Sequence, residues 1–487
     1  MFKTLLTQTG WSLMGTIFGF VVGFFVKMYL VNKVGAESFG LYTIAVSFQG
    51  AVSTLVALGM PQVIIKFLPK FLDEDNEEKT SVFTTKTLSF LLVAGTASAL
   101  LIIASSTIIS TYFFQKPNLT YILALAAIYI PLSLYSAYIT SIYRSFLKIK
   151  EIILYGTIYL ISIRATLTFI VFAFTSDITY FLLIEILSMF LSSFLLTIHF
   201  KSEKMHLFKP DALKKVLPKK KEILDYAKTI YANSLIGFAG GYVMTFIMSI
   251  LLPASAIGVF AILMTIAGLT NFLQSNINNI FAPMISKLVN SGDIKELSLL
   301  YKESTFLLNF ATIPFIVTVV LFSKDILSLY GEEFVPHTFE LMVLFLANYF
   351  SLAVGSSGMM MMMGGLEKEE LRLQIFILVL TIVLSLLFLP TYGLLAVVFI
   401  KLAIMFTVNM VEVYYIHQRF KIWPWDINSY FLMAIFATLL TIAYKYHDES
   451  FGPVYFISIP FFLYLFFAVI FSKKLLEIKK VLFKNER

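Results

Sequence analysis

The sequence contains no cysteine among its 487 residues and only five histidines. The lack of cysteine excludes disulfides, thiolate metal sites and cysteine nucleophiles. The histidines are scattered, and no G-x-S-x-G, H-E-x-x-H or P-loop pattern is present, so we predict no catalytic residue and no metal site. Charge is also scarce, because charged residues make up 14% of the chain and hydrophobic residues 59%. That balance excludes a soluble domain and predicts a polytopic membrane protein.

Long apolar runs recur along the whole chain, each about 20 residues and therefore long enough to cross a bilayer as a helix. Polar or turn residues separate them into about fourteen spans, so the predicted fold class is all-α. The spans are 9–31, 41–65, 82–109, 121–141, 153–174, 180–198, 229–251, 257–280, 304–322, 337–356, 372–389, 393–416, 428–444 and 454–471. No small-residue cleavage site follows the first run, which we interpret as an uncleaved helix.

Lysine and arginine are concentrated in alternate joints between the spans. The other joints contain only Lys33, Lys116, Lys324 and Lys445. Because basic joints stay in the cytoplasm, we predict a multi-pass plasma (inner) membrane protein with both termini cytoplasmic. This bias accounts for the net charge of +8 without a nucleic acid partner. The basic joints are also expected to attract anionic membrane lipids.

The first two spans recur, much changed, about 220 residues later. Ser12, Leu13, Gly15 and Gly19 align with Ser234, Leu235, Gly237 and Gly241, Ala36–Tyr42 with Ala254–Phe260, and Gln49, Ser53 and Pro61 with Asn271, Ser275 and Pro283. The order is kept, which indicates an internal duplication, and such repeats are typical of transporters that bind substrate between their halves. The predicted domains are an N-terminal lobe at 1–200, a basic cytoplasmic linker at 201–228, a C-terminal lobe at 229–416 and, at 417–487, two extra helices with a basic cytoplasmic tail.

Charged side chains inside the spans are candidates for a functional site, because a central arginine or lysine costs about 2.5–3.5 kcal/mol on insertion scales. Arg164 and Lys401 lie deep in spans five and twelve. Lys27 lies nearer the outer end of span one, where it either serves the site or extends to the interface. Glu185 lies close in depth to Arg164 across a tight hairpin, so the two form either a structural ion pair or part of the site.

Span eight carries a polar stripe at i, i+3, i+4 and i+7, a spacing that places its members on one helical face. The stripe consists of Asn271, Gln274, Ser275 and Asn278. Gln49 and Ser53 form the corresponding face of span two. Lipid does not tolerate such faces, so they either line a hydrated cavity that suits a sugar or bond to neighbouring helices.

Loose motifs recur in a fixed order along the chain. They are GAESFGLY in the first hairpin, its echo ASAIGVF, FAPMISKLVNSGDIKEL after span eight, ILSLYGEEF after span nine and LPTYGLLAV before span twelve. With these motifs and this topology, the chain resembles the Wzx-type flippases, the polysaccharide transporter branch of the multidrug/oligosaccharidyl-lipid/polysaccharide (MOP) superfamily. The resemblance implies two pseudo-symmetric six-helix lobes in a V around a central cavity, plus two C-terminal helices.

The resemblance also implies a function. Members of the family carry a lipid-pyrophosphate-linked oligosaccharide to the outer leaflet by alternating access, for cell-surface polysaccharide biosynthesis. Cationic cavity residues would hold the anionic head, a role that Arg164, Lys401 and Lys27 are placed to fill. The implied partners are the polyprenyl-pyrophosphate-linked oligosaccharide, a polysaccharide polymerase and glycosyltransferases. No cofactor is expected, and coupling to a proton or to sodium stays open.

Two alternatives remain. A cation-coupled drug exporter of the same fold would need a membrane-embedded carboxylate, for which Glu185 is the main candidate. A membrane-embedded polysaccharide polymerase or ligase would need a large outer catalytic loop, whereas the longest outer joint here runs only from 323 to 336.

Overall fold

The computed structural model describes residues 2–73, 77–200, 208–447, 449 and 454–482. These residues form helices and connecting turns without any strand, which confirms the all-α class. By packing, the chain divides into two compact units, which we call unit 1 (Met1–Gly258) and unit 2 (Val259–Arg487). Residues 201–207 of the predicted linker lie outside the described residues, and the domain limits proposed from the sequence stay a prediction.

The described part of unit 1 is built from long helices with short turns between them. Its helices are α1 (Phe2–Ala57), α2 (Met60–Asp73), α3 (Glu77–Ile108), α4 (Leu119–Ser145), α5 (Ile149–Glu151), α6 (Leu160–Val171), α7 (Thr179–Phe200), α8 (Lys220–Leu251) and the start of α9 (Ala254–Ala267). Wider π-helical turns follow α3 at Ile109–Phe113 and precede α6 at Ile152–Tyr159, and a 3₁₀ turn covers Pro210–Lys214.

Unit 2 begins within α9 and has the same character over its described residues. Its further helices are α10 (Leu269–Ser291), α11 (Ile294–Leu321), α12 (Ser323–Ser328), α13 (Thr338–Ala353), α14 (Ser357–Met363), α15 (Glu367–Phe420), α16 (Ile427–Tyr446), α17 (Tyr455–Ile470) and α18 (Ser472–Leu482). A 3₁₀ segment at Glu332–His337 leads into α13.

The fourteen predicted spans lie along these helices, but span two (41–65) runs from α1 into α2 and span eight (257–280) runs from α9 into α10. Helix α1 contains span one and the start of span two, with a break at Gly35 (φ 78°), and α15 contains spans eleven and twelve, with a break at Gly393 (φ 55°). Glycine adopts a positive φ without the steric penalty of other residues, so it is suited to such a break. By length and composition, nine helices in the described ranges can cross a membrane, or ten if one bent pair counts as a span. The protein is therefore a multi-pass membrane protein.

The two joints that the repeat aligns cross each other inside unit 1, backbone against backbone. A Cβ built on Gly40 would lie 1.8 Å from the carbonyl oxygen of Ala254, and one on Gly258 would lie 1.9 Å from that of Ala36. Gly40 therefore contacts Ala254, four residues before Gly258, and Gly258 contacts Ala36, four residues before Gly40. Small residues allow such close approach between membrane helices. The reciprocal contact is what a two-fold duplication predicts, and it gives the weak sequence repeat a physical counterpart.

In unit 2, a buried ion cluster holds the amphipathic helix α18 in place. The Lys474 ammonium lies 2.6 Å from Glu303 Oε1 and 2.8 Å from Asp426 Oδ2. Burial alone would raise the pKa of Asp426, but hydrogen bonds from Lys474 and Ser429 outweigh it and hold that pKa below its usual value. Burial would lower the pKa of Lys474, but the two carboxylates raise it above its usual value. The cluster therefore stays ionised over a wide pH range.

We expect Lys474→Met to lower the free energy of unfolding by about 3–5 kcal/mol at neutral pH, because it leaves two carboxylates without their cation. The depressed pKa of Asp426 contributes stability that is lost as pH falls below about 3.9, and the raised pKa of Lys474 contributes stability that is lost as pH rises above about 10.4. Unfolding in detergent, followed over pH, measures both effects. Lys473→Met, at an exposed neighbour, is the control. Equal effects of the two substitutions would contradict the assignment.

Candidate functional site

The hairpin of α6 and α7 brings together the two charged residues that the sequence placed at similar depth. Arg164 Nη1 lies 3.0 Å from Glu185 Oε1, with the two side chains 24% and 11% exposed. The hydroxyl of Tyr42, on the second half of α1, donates to Glu185 Oε2 over 2.9 Å. The expected ion pair is therefore confirmed, and a tyrosine from a third helix completes it.

Two further side chains join this pair. The guanidinium of Arg164 donates a hydrogen bond to the hydroxyl of Tyr129 on α4. Lys27, on the first half of α1, is exposed and lies within electrostatic range of both Arg164 and Glu185. We call these five residues the Arg164 cluster. It contains two cations and one carboxylate, so it carries a net positive charge inside apolar helices.

Local structure explains how Arg164 reaches this place. The π-helical turns at Ile152–Tyr159 precede α6 and change the face that α6 presents to its neighbours. Ser192 of α7 donates to the carbonyl of Tyr155 over 2.7 Å, which ties the π segment to α7. At the far end of the hairpin, Asp177 accepts a hydrogen bond from the amide of Thr179 and caps the start of α7.

The Arg164 guanidinium retains unused donor capacity. An arginine has five N–H donors in a planar fork. Glu185 and Tyr129 take part of that capacity, and Nε is buried with no partner among the described residues. The buried Nε therefore remains an unsatisfied donor in this conformation.

Gln49 and Ser53 form a hydrogen-bonded chain within unit 1. The Gln49 side chain, 5% exposed, donates to Ser53 Oγ over 2.9 Å, and Ser53 Oγ lies 3.2 Å from Ser133 Oγ on α4. For these two residues the observed contacts match the alternative in which the polar face bonds to a neighbouring helix. A role in binding substrate stays a prediction.

Two members of the polar stripe of α10 have described hydrogen bonds to other helices, and two have exposed side chains. Gln274 donates to Ser351 Oγ over 3.3 Å, and the Ser356 hydroxyl donates to Asn278 Oδ1. The other two members, Asn271 and Ser275, are exposed. Gln274 and Asn278 therefore attach this stripe to the α13–α14 region.

Lys401 lies half-buried on α15. No carboxylate in the described part of the chain lies within ion-pair distance of it, in contrast to Arg164. The same helix lines an apolar groove of about 440 Å³, whose walls include Phe388, Tyr392 and Phe399. Lys401 thus combines an apolar setting with a positive charge, and its function stays a prediction.

Sequence reasoning missed Tyr42 and Tyr129. Tyrosines are common in membrane spans, and neither carries a charge that would distinguish it from packing aromatics. A signal did exist for Tyr42, because it lies in the joint motif GAESFGLY and falls within reach of the outer half of span six.

Residues 5–289 match the model of a family described as polysaccharide biosynthesis protein. The chain belongs to this family. The matched stretch includes both copies of the repeated hairpin and the whole Arg164 cluster. No curated protein sequence matches the chain.

The fold of this family member is also found in solved transporters. The lipid II flippase MurJ in an inward closed conformation has a TM-score of 0.74 and 15% identity, covering 95% of this chain and 99% of that chain. An inward-facing multidrug resistance MATE family transporter has a TM-score of 0.63 and 15% identity, with 85% and 94% covered. A MOP superfamily transporter from Pyrococcus furiosus, whose binding pocket is described as reversed in polarity, has a TM-score of 0.53 and 14% identity, with 86% and 96% covered. At such identities the likeness establishes the fold.

Proposed function

We propose that this protein is a Wzx-type flippase that moves a lipid-pyrophosphate-linked oligosaccharide from the cytoplasmic to the outer leaflet. The observation that carries the proposal is the net positive Arg164 cluster within the spans of a polysaccharide biosynthesis family member. Lipid solvates the tail of such a substrate but not its head. The protein therefore needs only a polar cavity that opens alternately to each side, with a gap for the tail.

Each residue of the cluster has a proposed role. Arg164 binds the pyrophosphate through its planar fork, which matches phosphate oxygens better than a lysine does. Lys27 adds a second positive charge beside it. Glu185 and Tyr42 hold the guanidinium in position, and Tyr129 supports it from α4. Lys401 and the exposed part of the α10 stripe are proposed as further residues that bind the substrate.

A cation-coupled drug exporter of the same fold fits this cluster less well. Such an exporter needs a membrane carboxylate that is available to a cation. Glu185 is already engaged by Arg164 and Tyr42, and the net charge around it is positive. A membrane-embedded polymerase or ligase would need a large outer catalytic loop, whereas the longest predicted outer joint runs only from 323 to 336, so we propose a transporter and not an enzyme.

A transport assay on purified protein tests the proposal. Liposomes containing a polyprenyl-pyrophosphate-linked oligosaccharide, fluorescently labelled on the sugar, are treated with an impermeant quencher from outside. With the protein present, the label of the inner leaflet should become accessible, whereas protein-free liposomes should protect it. A fluorescent phosphatidylethanolamine is the control for unspecific lipid scrambling. Continued protection of the sugar label would refute the function.

The orientation is tested separately, in cells. The protein is proposed to lie in the plasma (inner) membrane with both termini cytoplasmic, because the basic joints would then face the cytoplasm. Lys221 and Glu332 are exposed and lie on predicted opposite sides. In this cysteine-free chain, Glu332→Cys should react with an impermeant maleimide in intact cells, and Lys221→Cys only after permeabilisation. The reverse pattern would invert the proposed transport direction.

A further inference from the structure

Unit 2 contains a buried carboxylate with no cation in ion-pair distance among the described residues. Glu412, on the second half of α15, is only 5% exposed. The hydroxyl of Ser357, at the start of α14, donates to its Oε2. The described charged group that acts on Glu412 is another acid, Glu370. Its negative charge repels that of the Glu412 carboxylate.

Two unsatisfied polar atoms lie around this carboxylate. Glu370, in the first turn of α15, has one oxygen bonded to Gln374, while its Oε2 is buried without a partner in the described residues. Tyr301 of α11 is 2% exposed, and its hydroxyl is likewise buried without a described partner. The Glu412 carboxylate interacts electrostatically with that hydroxyl. Ser357 is thus the described hydrogen-bond donor to Glu412, while Glu370 and Tyr301 act on it electrostatically and each keep one buried polar atom without a described partner.

The surroundings of the site are apolar. Tyr301 belongs to a buried hydrophobic cluster that also includes Met360 and Met361 of α14, and Ile416, one turn after Glu412. Removing an ion from water into such a setting costs several kcal/mol unless it is paired. A single proton removes the charge of one carboxylate and its repulsion with the other. The resulting O–H can also donate to an acceptor that is otherwise unsatisfied.

We propose that Glu412 and Glu370 form a proton-binding site in unit 2, completed by the hydroxyls of Ser357 and Tyr301. One proton from water binds to the carboxylate pair and returns to water when the site opens, so no bond other than O–H forms or breaks. Gln374 holds one oxygen of Glu370, and Met360 and Met361 of α14 pack in the hydrophobic cluster that includes Tyr301. The site is separate from the Arg164 cluster, which lies in unit 1.

Helix α14 provides a way for proton binding to affect conformation. The helix has seven residues and lies between Gly355 (φ 72°) and Gly365 (φ 77°), and it is bent by 41° from the preceding helix. Movement of α14 would withdraw Ser357 from Glu412 and expose the carboxylate. Proton occupancy and the position of α14 are therefore linked. The inference that proton binding drives transport rests on the proposed function. The proton site itself does not depend on that function.

The test uses purified protein without substrate, so its failure is distinct from failure of the transport assay. We expect the wild type to lose thermal stability relative to Glu412→Gln as pH rises from mildly acidic to mildly alkaline, because the unfolded chain releases the Glu412 proton more readily than the folded site does, whereas the amide does not titrate. Glu367→Gln, at an exposed acid in the same first turn as Glu370, should keep the wild-type pH profile. A stability difference that does not change with pH would overturn the proposal.

Infrared spectroscopy provides a second measurement on the wild type itself. The carbonyl band of a protonated carboxylic acid should be present at mildly acidic pH and disappear as pH rises, and Glu412→Gln should remove it. Glu370→Gln should shift the disappearance of this band to more acidic pH, because the neighbouring negative charge is gone. Stabilisation specific to sodium over potassium, lost in Glu412→Gln, would identify a metal ion as the occupant and refute the proton.

Discussion

Alanine at Gly40 is expected to abolish transport and to lower thermal stability, because its Cβ would lie 1.8 Å from a backbone carbonyl of the crossing joint. Overpacking by a methyl group costs about 1–3 kcal/mol where side chains can yield. Here the obstacle is the main chain of Ala254, so we expect the upper end of that range. Thermal unfolding in detergent and the liposome assay measure the two effects.

Gly237→Ala is a matched control for this substitution. Gly237 lies in α8 with no atom within 4 Å of a built Cβ. Alanine should be tolerated there and even stabilise the helix by up to about 1 kcal/mol. The two glycine variants are thus expected to change stability in opposite directions.

Because the two glycine contacts are reciprocal, the double variant Gly40→Ala with Gly258→Ala provides a further test. Gly40→Ala and Gly258→Ala both force the same two segments apart, so their combined cost should be smaller than the sum of the single costs. Additive costs would show that the two contacts are independent. A neutral Gly40→Ala would show that the close crossing is absent from the folded protein.

Arg164→Ala is expected to reduce transport of the labelled oligosaccharide by about 10- to 100-fold. A hydrogen bond to a charged group contributes about 1.5–3 kcal/mol, and each 1.4 kcal/mol is a factor of ten. Arg164→Lys should also lose activity, since it keeps the charge without the fork. Arg144→Ala, at an exposed arginine on α4, is the control.

Arg164→Ala could lose activity simply because the protein is destabilised, since the substitution leaves Glu185 without its cation. The double variant Arg164→Ala with Glu185→Gln removes both charges and should recover stability. If transport stays low in this stable variant, the arginine is needed for the substrate. If transport returns with stability, Arg164 is only a structural residue.

Much of this architecture follows from the sequence. Apolar length and the positive-inside bias located the spans, and depth along α6 and α7 was enough to pair Arg164 with Glu185. The sequence repeat aligned the two joints, but their close contact at Gly40 and Gly258 became evident only in the structure.

Other features could not be predicted from the sequence, for physical reasons. Tyr42 and Tyr129 join the cluster through rotations of α1 and α4 that hydropathy does not specify. The π-helical turns before α6 change the face that this helix presents to its neighbours, and no residue pattern predicts such turns. Glu412 lies near the end of its predicted span, where a carboxylate is ordinarily expected to reach water. Its burial depends on how α14 and α11 pack over it.

The most direct test of the central claim, that Arg164 binds the anionic head of the substrate, is the charge swap Arg164→Glu with Glu185→Arg in the liposome assay. The ion pair is re-formed with its polarity reversed, so thermal unfolding should show a folded protein. We predict that this folded protein stays inactive, because the cation no longer stands where the pyrophosphate binds. Full transport by the swapped protein would contradict the account and reduce the cluster to a structural pair.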